Sequence, residues 1–133
     1  MRDLQKGDIM RGKLGESTRG NLSNGLYQII AVDFDGTLCN SNYPALGEPN
    51  MKLIEWLKRK RQKGCKIILW TCRHGDTLKQ AVEFCRKYGL MFDAVNENLP
   101  SLIEKYGETR KIAADVYIDD KNLNMSCVPF YGD

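Results

Sequence analysis

Two carboxylates follow a short apolar run near the start of the chain. The run is Ile29-Ile30-Ala31-Val32, and Asp33 and Asp35 come directly after it with Phe34 between them. An apolar, β-branched run without polar alternation predicts a strand covered on both faces, as in a parallel sheet. Because residues two apart in an extended chain lean to the same side, the two carboxylates are expected to lie close together. Such a pair suits a hard divalent cation, and Mg²⁺ takes carboxylate and carbonyl oxygens.

Three later apolar runs end in the same way. They stop at Thr71, at Asn96 and at the pair Asp119-Asp120, and segments with helical periodicity lie between one run and the next. Alternating strands and helices predict a parallel sheet with right-handed crossovers, in which the carboxyl ends of the strands meet at one edge. The side chains that this topology gathers there are Asp33, Asp35, Thr71, Asn96, Asp119 and Asp120.

The expected elements are short. We predict strands at 29–32, 66–71, 90–95 and 115–118, and helices within 50–64, 75–89 and 100–106. Asn50 suits the N-cap of the first helix, and Thr77 with Gln80 resembles a capping box for the second. The fold class is therefore α/β, a Rossmann-like three-layer sandwich with a central parallel sheet. The gaps between the strands are too short for a cap domain.

One domain is expected to account for most of the 133 residues. We assign it to residues 26–133. Residues 1–25 hold five glycines, five Lys or Arg and few large apolar residues, which predicts a flexible basic N-terminal arm. Within the domain, the segment 38–49 is rich in turn-forming residues and follows the first acidic pair, so it is placed to cover a bound substrate.

The acidic residues carry a family resemblance. The sequence Asp33-Phe34-Asp35-Gly36-Thr37 after an apolar strand resembles the first motif of the haloacid dehalogenase-like (HAD) hydrolase superfamily. Thr71 matches the position of the second motif, and Asp119-Asp120 match the acidic fourth motif. HAD hydrolases are mostly Mg²⁺-dependent phosphatases and phosphotransferases, so the resemblance implies a catalytic HAD-like domain without a cap.

The lysine of the third motif has two candidates. Lys111 fits by motif order, and the segment 111–120 is also similar to the closing segment of the deoxyribonucleotidases in this superfamily. Lys121 directly follows the acidic pair and is the rival. The resemblance extends from Tyr27 to Lys121.

The resemblance implies a Mg²⁺-dependent phosphohydrolase that works through an aspartyl-phosphate. Asp33 would attack the phosphorus, and Asp35 would protonate the leaving oxygen and then activate water. Thr71 and Lys111 would bind the phosphoryl oxygens. Arg73, two residues beyond Thr71, would read a second anionic group of the substrate, although an ordinary surface arginine stays open as the alternative.

The resemblance also implies the metal ligands. These are Asp33, Asp35, Asp119 and Asp120. Asp35 is expected to turn its carboxylate away from the metal and to offer its backbone carbonyl instead. Asp119 is expected to bind Mg²⁺ directly, and Asp120 through water.

A site without a cap is open, which suits a phosphate monoester such as a nucleotide or a nucleic-acid end, and a small or a macromolecular substrate. A second subunit in a homo-oligomer or the segment 38–49 could close it. Two alternatives stay open. One is a receiver-like module that senses phosphate without turnover, although receivers carry their acidic pair at the first strand, and the other is a phosphotransferase.

Composition and charge indicate which binding partners and which cellular compartment to expect. A net charge of +3 does not single out nucleic acid, and the basic run 58–63 suits the end of a helix better than a nucleic-acid patch. Five cysteines without zinc-type spacing predict reduced, mostly buried thiols. No apolar stretch reaches the length of a membrane span, so a cytoplasmic protein without a membrane partner is expected.

Overall fold

The computed structural model of the protein describes residues 28–123. Four strands form one sheet in which every neighbouring pair is parallel. The strands are β1 (Ile29–Val32), β2 (Lys66–Leu69), β3 (Ala94–Val95) and β4 (Val116–Ile118). Their order across the sheet is β3-β2-β1-β4, so β1 lies inside the sheet and has β2 and β4 as its neighbours. The predicted N-terminal arm, residues 1–25, lies outside the described residues.

Three helices connect the strands. They are α1 (Met51–Gln62), α2 (Gly75–Lys87) and α3 (Pro100–Tyr106). The predicted N-cap is confirmed, because the Asn50 side chain accepts the Leu53 N–H at 3.2 Å. The predicted capping box is wrong: His74 is the N-cap of α2, and the Thr77 hydroxyl donates to the His74 carbonyl at 2.8 Å from inside the first turn. No helix within residues 28–123 is long and apolar enough to cross a membrane.

The helices cover both faces of the sheet and give it two separate apolar layers. Ile30 and Val32 of β1 belong to the larger layer, which includes buried residues of α1 and α2. Ala31 points to the opposite face, where it belongs to a smaller layer with Leu99 and Leu102 beside and within α3. Alternation along β1 thus buries both of its faces. The predicted α/β sandwich with a central parallel sheet is confirmed, and within 28–123 no further domain interrupts it.

Two strands are shorter than predicted. Pairing of β2 ends at Leu69, and β3 has two residues in place of the expected run from residue 90. The reason at β3 is Asp93, whose N–H donates to the Ile67 carbonyl at 2.8 Å while its carboxylate accepts the Ile67 N–H at 2.8 Å. The Asp93 carboxylate therefore takes the place of the next backbone hydrogen bond between β2 and β3.

The cysteines within the described residues are free thiols. Cys39, Cys65 and Cys85 are buried, and Cys72 is exposed. This agrees with the prediction of reduced and mostly buried thiols. Cys127 lies outside the described residues.

Candidate functional site

Three carboxylates meet at the carboxyl edge of the sheet. Asp33, Asp119 and Asp120 each offer an oxygen, and these atoms lie within 4.8 Å of one another. Asp33 follows the last residue of β1 and Asp119 follows the last residue of β4, and these strands are neighbours whose last residues are paired. The Asp33 N–H donates to the Ile118 carbonyl at 2.9 Å, which fixes the two strand exits side by side. We call these three residues the acid cluster.

The acid cluster holds Asp33 in an environment that disfavours its charge. Burial is the largest cause, and repulsion by Asp119, Asp120 and Asp35 adds to it, so that the pKa of Asp33 rises from 3.8 to about 6. A hydrogen bond from the Phe34 backbone opposes the rise. The crowding of negative charge at a partly open sheet edge fits a divalent cation bound by oxygen atoms.

This electrostatic arrangement predicts a pH dependence for the metal-free protein. Between pH 3.8 and about 6 the folded state keeps a proton on Asp33 that the unfolded state releases. The contribution of Asp33 to stability is therefore present below the lower value and is lost as the pH rises through about 6. Thermal unfolding in EDTA should show Asp33→Asn gaining stability relative to the wild type from pH about 4 to about 8. A stability difference that does not change with pH would contradict this assignment.

The carboxylate of Asp120 lies in the space that a side chain at position 36 would occupy. A Cβ built on Gly36 would lie 2.3 Å from Oδ2 of Asp120, and Gly36 has a φ of +81°. Both facts exclude an ordinary side chain at this position. Gly36 thus leaves room for an acid that lies far along the chain, after β4.

Asp35 does not join the acid cluster. Both of its carboxylate oxygens face Arg73, with Nε of Arg73 at 2.8 Å from Oδ2 and Nη2 at 2.8 Å from Oδ1. The bidentate ion pair holds this carboxylate on Arg73. The metal ligand assigned to Asp35 is its backbone carbonyl, and that assignment stays a prediction. The expected turning of the Asp35 side chain away from the metal site agrees with this arrangement.

Arg73 is not the substrate-reading residue that its position suggested. Its side chain is 1% exposed, and its guanidinium bonds protein oxygens with every N–H that it has. The prediction that Arg73 reads an anionic group of the substrate is therefore corrected. A signal for the inward orientation did exist, since Arg73 shares the edge of the sheet with Asp35. Its partners Pro44 and Ala45, however, belong to a loop that the sequence does not position.

Thr71 begins a tight turn directly after β2. Its hydroxyl oxygen accepts the Arg73 N–H at 3.1 Å, and its own N–H donates to Oδ1 of Asn96 at 2.8 Å. The Asn96 amide also donates to the Arg73 carbonyl at 3.4 Å. Asn96, with a φ of 56°, thus stabilises the turn that presents Thr71, and the residue pattern alone does not indicate this contact between two strand exits. Among the described residues, none accepts a hydrogen bond from the Thr71 hydroxyl.

The two candidate lysines have different surroundings. The Lys111 ammonium lies 5.9 Å from the centre of the Tyr117 ring, and within residues 28–123 it pairs with no carboxylate. The Lys121 ammonium lies 3.6 Å from Oδ2 of Asp120, on a side chain that is 86% exposed. The Lys121 N–H also donates to Oδ1 of Asp119 at 2.9 Å. Lys121 therefore contacts the acid cluster, whereas the assignment of the phosphate-binding cation to Lys111 stays a prediction.

Two basic side chains of the run 58–63 bond other residues of the same domain. Lys58 contacts Glu55 at 3.2 Å and donates to the Tyr88 carbonyl at 3.0 Å, and Arg61 makes a bidentate pair with Asp93. These contacts agree with the interpretation of the run as the end of a helix.

Comparison with known proteins connects the chain to one solved structure. Comparison with protein-family models gave no match, and comparison with curated proteins gave none either. The solved structure is that of a conserved protein from Bacteroides thetaiotaomicron, which is 43% identical to this chain, with a TM-score of 0.66. The match covers 74% of this chain and 78% of that one. At this identity and coverage, the chain belongs to the same family as the conserved Bacteroides thetaiotaomicron protein.

Proposed function

We propose that the protein is a Mg²⁺-dependent phosphohydrolase of the HAD-like type, which releases phosphate from a monoester through an aspartyl-phosphate on Asp33. The observation that carries the proposal is the acid cluster, with its three carboxylate oxygens within 4.8 Å at the carboxyl edge of the parallel sheet. Ligands of open α/β sheets bind at this edge. Asp33 is the member of the cluster whose motif resembles that of the HAD nucleophile.

The donor set suits Mg²⁺. Asp33, Asp119 and Asp120 supply the carboxylate oxygens, and the Asp35 backbone carbonyl is the further ligand that we assign. When bound, the ion neutralises phosphoryl oxygens that would otherwise repel a carboxylate nucleophile. Gly36 supports this assignment, because its missing side chain leaves the space in which the Asp120 carboxylate lies.

The reacting groups of the chain have assigned roles. An Asp33 oxygen attacks the phosphorus and the bond from phosphorus to the leaving oxygen breaks. Asp35 enters this step in its protonated form and donates that proton to the leaving oxygen, which makes it a carboxylate. Water then attacks the aspartyl-phosphate, Asp35 takes its proton, and inorganic phosphate leaves. The Thr37 hydroxyl, 3.5 Å from Oδ2 of Asp33, restrains the nucleophile. The Thr71 hydroxyl binds an equatorial oxygen of the phosphoryl group.

The described loop at the site favours an accessible substrate. No cap domain lies within residues 28–123, and the segment 38–49 exposes Tyr43 and Leu46. We therefore assign a phosphate monoester such as a nucleotide or a nucleic-acid end. The same aspartyl-phosphate would serve a phosphotransferase if an acceptor hydroxyl replaced water.

The test is phosphate release from p-nitrophenyl phosphate with Mg²⁺ and with EDTA, followed by thermal unfolding with Mg²⁺ and beryllofluoride, a mimic of the phosphoryl group on aspartate. We expect release with Mg²⁺ only, and stabilisation by beryllofluoride only when Mg²⁺ is present. Release that persists in EDTA would contradict the proposed chemistry. Stabilisation without any release would overturn hydrolysis in favour of a receiver-like module, and the absence of both effects would overturn the site.

A further inference from the structure

The guanidinium of Arg73 connects Asp35, the loop 38–49 and the first turn of α2. Two of its N–H groups donate to the Asp35 carboxylate, both at 2.8 Å. Two more donate to backbone carbonyls of the loop, at 3.2 Å to Pro44 and at 2.8 Å to Ala45. The fifth donates to the Thr77 carbonyl in the first turn of α2, at 3.3 Å. A guanidinium has five N–H groups, so Arg73 has none left for a ligand.

The burial of Arg73 shows that this position is built for a guanidinium. The side chain is 1% exposed and lies close to two aromatic rings, with its central carbon 4.9 Å from the centre of the Phe34 ring and 5.1 Å from that of Tyr43. A buried charge is costly unless it is paired and hydrogen-bonded. Asp35 supplies the counter-charge, and the planar shape of the guanidinium allows stacking and bidentate pairing together.

We propose that Arg73 is a positioning residue that holds the Asp35 carboxylate off the acid cluster and ties it to the loop 38–49. Asp35 is two residues from Asp33 in a chain segment that exits one strand, so without Arg73 its carboxylate is able to turn towards a cation in the cluster. With Arg73 in place, that carboxylate stays on the guanidinium that also bonds the loop carbonyls, and in this position Asp35 would serve the proton transfers of the proposed reaction. The catalytic part of this inference rests on the proposed phosphohydrolase function, whereas the structural part does not.

The first test measures divalent-cation binding without turnover. Mn²⁺ is titrated into the wild type, Arg73→Met, Asp35→Asn and the double variant, and the free ion is followed by electron paramagnetic resonance. We expect Arg73→Met to bind Mn²⁺ about 3- to 10-fold more tightly, because the released Asp35 adds a carboxylate ligand. The double variant should lose this gain. A weaker or unchanged affinity in Arg73→Met, or a gain that the double variant keeps, overturns the proposal.

The second test measures the loop. Hydrogen exchange in segment 38–49 should become faster in Arg73→Met, including at Asn40, whose N–H donates to the Glu48 carbonyl at 2.8 Å. Arg86→Met is the matched control, since Arg86 lies on the exposed side of α2 and, within residues 28–123, its side chain pairs only with Glu83, at 3.4 Å. It should change neither exchange in the loop nor Mn²⁺ affinity. Loop exchange equal to that of the wild type in Arg73→Met overturns the tether.

The third test separates positioning from folding. Arg73→Lys keeps the charge but loses the bidentate fork, so we expect its kcat to fall about 10-fold and that of Arg73→Met about 100-fold, with KM nearly unchanged. If Arg73→Met does not fold, Arg73→Lys and Asp35→Asn carry the exchange test, and both must loosen the loop. A wild type without phosphatase activity overturns the proposed function alone, because the Mn²⁺ and exchange measurements still decide the role of Arg73. A KM that rises with kcat unchanged overturns the positioning role.

Discussion

Asp33→Asn should lower Mg²⁺-dependent phosphate release by roughly 10³-fold or more, because an amide cannot serve as the attacking nucleophile. The substitution keeps the size of the side chain and removes one charge from the acid cluster, so the fold should persist. The metal-free variant should even be more stable than the wild type above pH 6, since the pKa of Asp33 lies at about 6 and the wild type must carry that charge. Initial rates of p-nitrophenyl phosphate hydrolysis and thermal unfolding in EDTA measure the two effects.

Glu104→Gln is the matched control for this variant. It also turns a carboxylate into an amide, but it lies exposed on α3, outside the acid cluster. Its rate should equal that of the wild type. If Asp33→Asn kept more than about a tenth of the wild-type rate, another group would be the nucleophile and the proposed chemistry would be wrong.

Asp119→Asn and Asp120→Asn should each weaken Mg²⁺ binding by roughly 10- to 100-fold, because each removes one of the carboxylates of the acid cluster. In the metal-free protein the same changes should raise stability, since both residues repel the charge of Asp33. The two effects have opposite signs, which separates the loss of a metal ligand from damage to the fold. Calorimetric titration with Mg²⁺ and thermal unfolding in EDTA give both values from one preparation.

The outcome for Asp120 is the more demanding of the two. The Asp120 carboxylate lies in the space beside Gly36. The Asp119 carboxylate accepts the backbone N–H of Lys121 at 2.9 Å. A variant at either position that binds Mg²⁺ as tightly as the wild type would remove that residue from the ligand set. Lower stability in EDTA for both variants would mean that the acids hold the fold together and are not poised for a cation.

The convergence of the acids was predictable because it follows from short-range rules. Apolar runs predict the strands, alternation with helices predicts parallel order, and parallel order places all carboxyl ends at one edge. Asp33 and Asp119 lie at neighbouring strand exits in agreement with this rule. The carboxylates at these strand ends then indicate a cation site. The catalytic roles of the individual residues come from the family resemblance and not from any contact in the fold.

The direction of the side chains beside this edge was not predictable in the same way. Arg73 turns inward because the carbonyls of Pro44 and Ala45 lie within hydrogen-bond distance, and these belong to a loop 29 and 28 residues earlier in the chain. Asn96 fastens the turn at Thr71 from another strand exit, 25 residues later. Contacts of this kind depend on how loops pack on the sheet, and neither periodicity nor composition records that packing.

The sequence alone determined the α/β architecture and the meeting of Asp33, Asp119 and Asp120, since both follow from local patterns and from the geometry common to parallel sheets. Only the tertiary structure decided that the carboxylate of Asp35 pairs with the buried guanidinium of Arg73, which also bonds the carbonyls of Pro44 and Ala45. The physical reason is that a buried charge takes whichever partner the packed chain brings within hydrogen-bond distance, and that partner is set by the three-dimensional arrangement of segments distant in sequence.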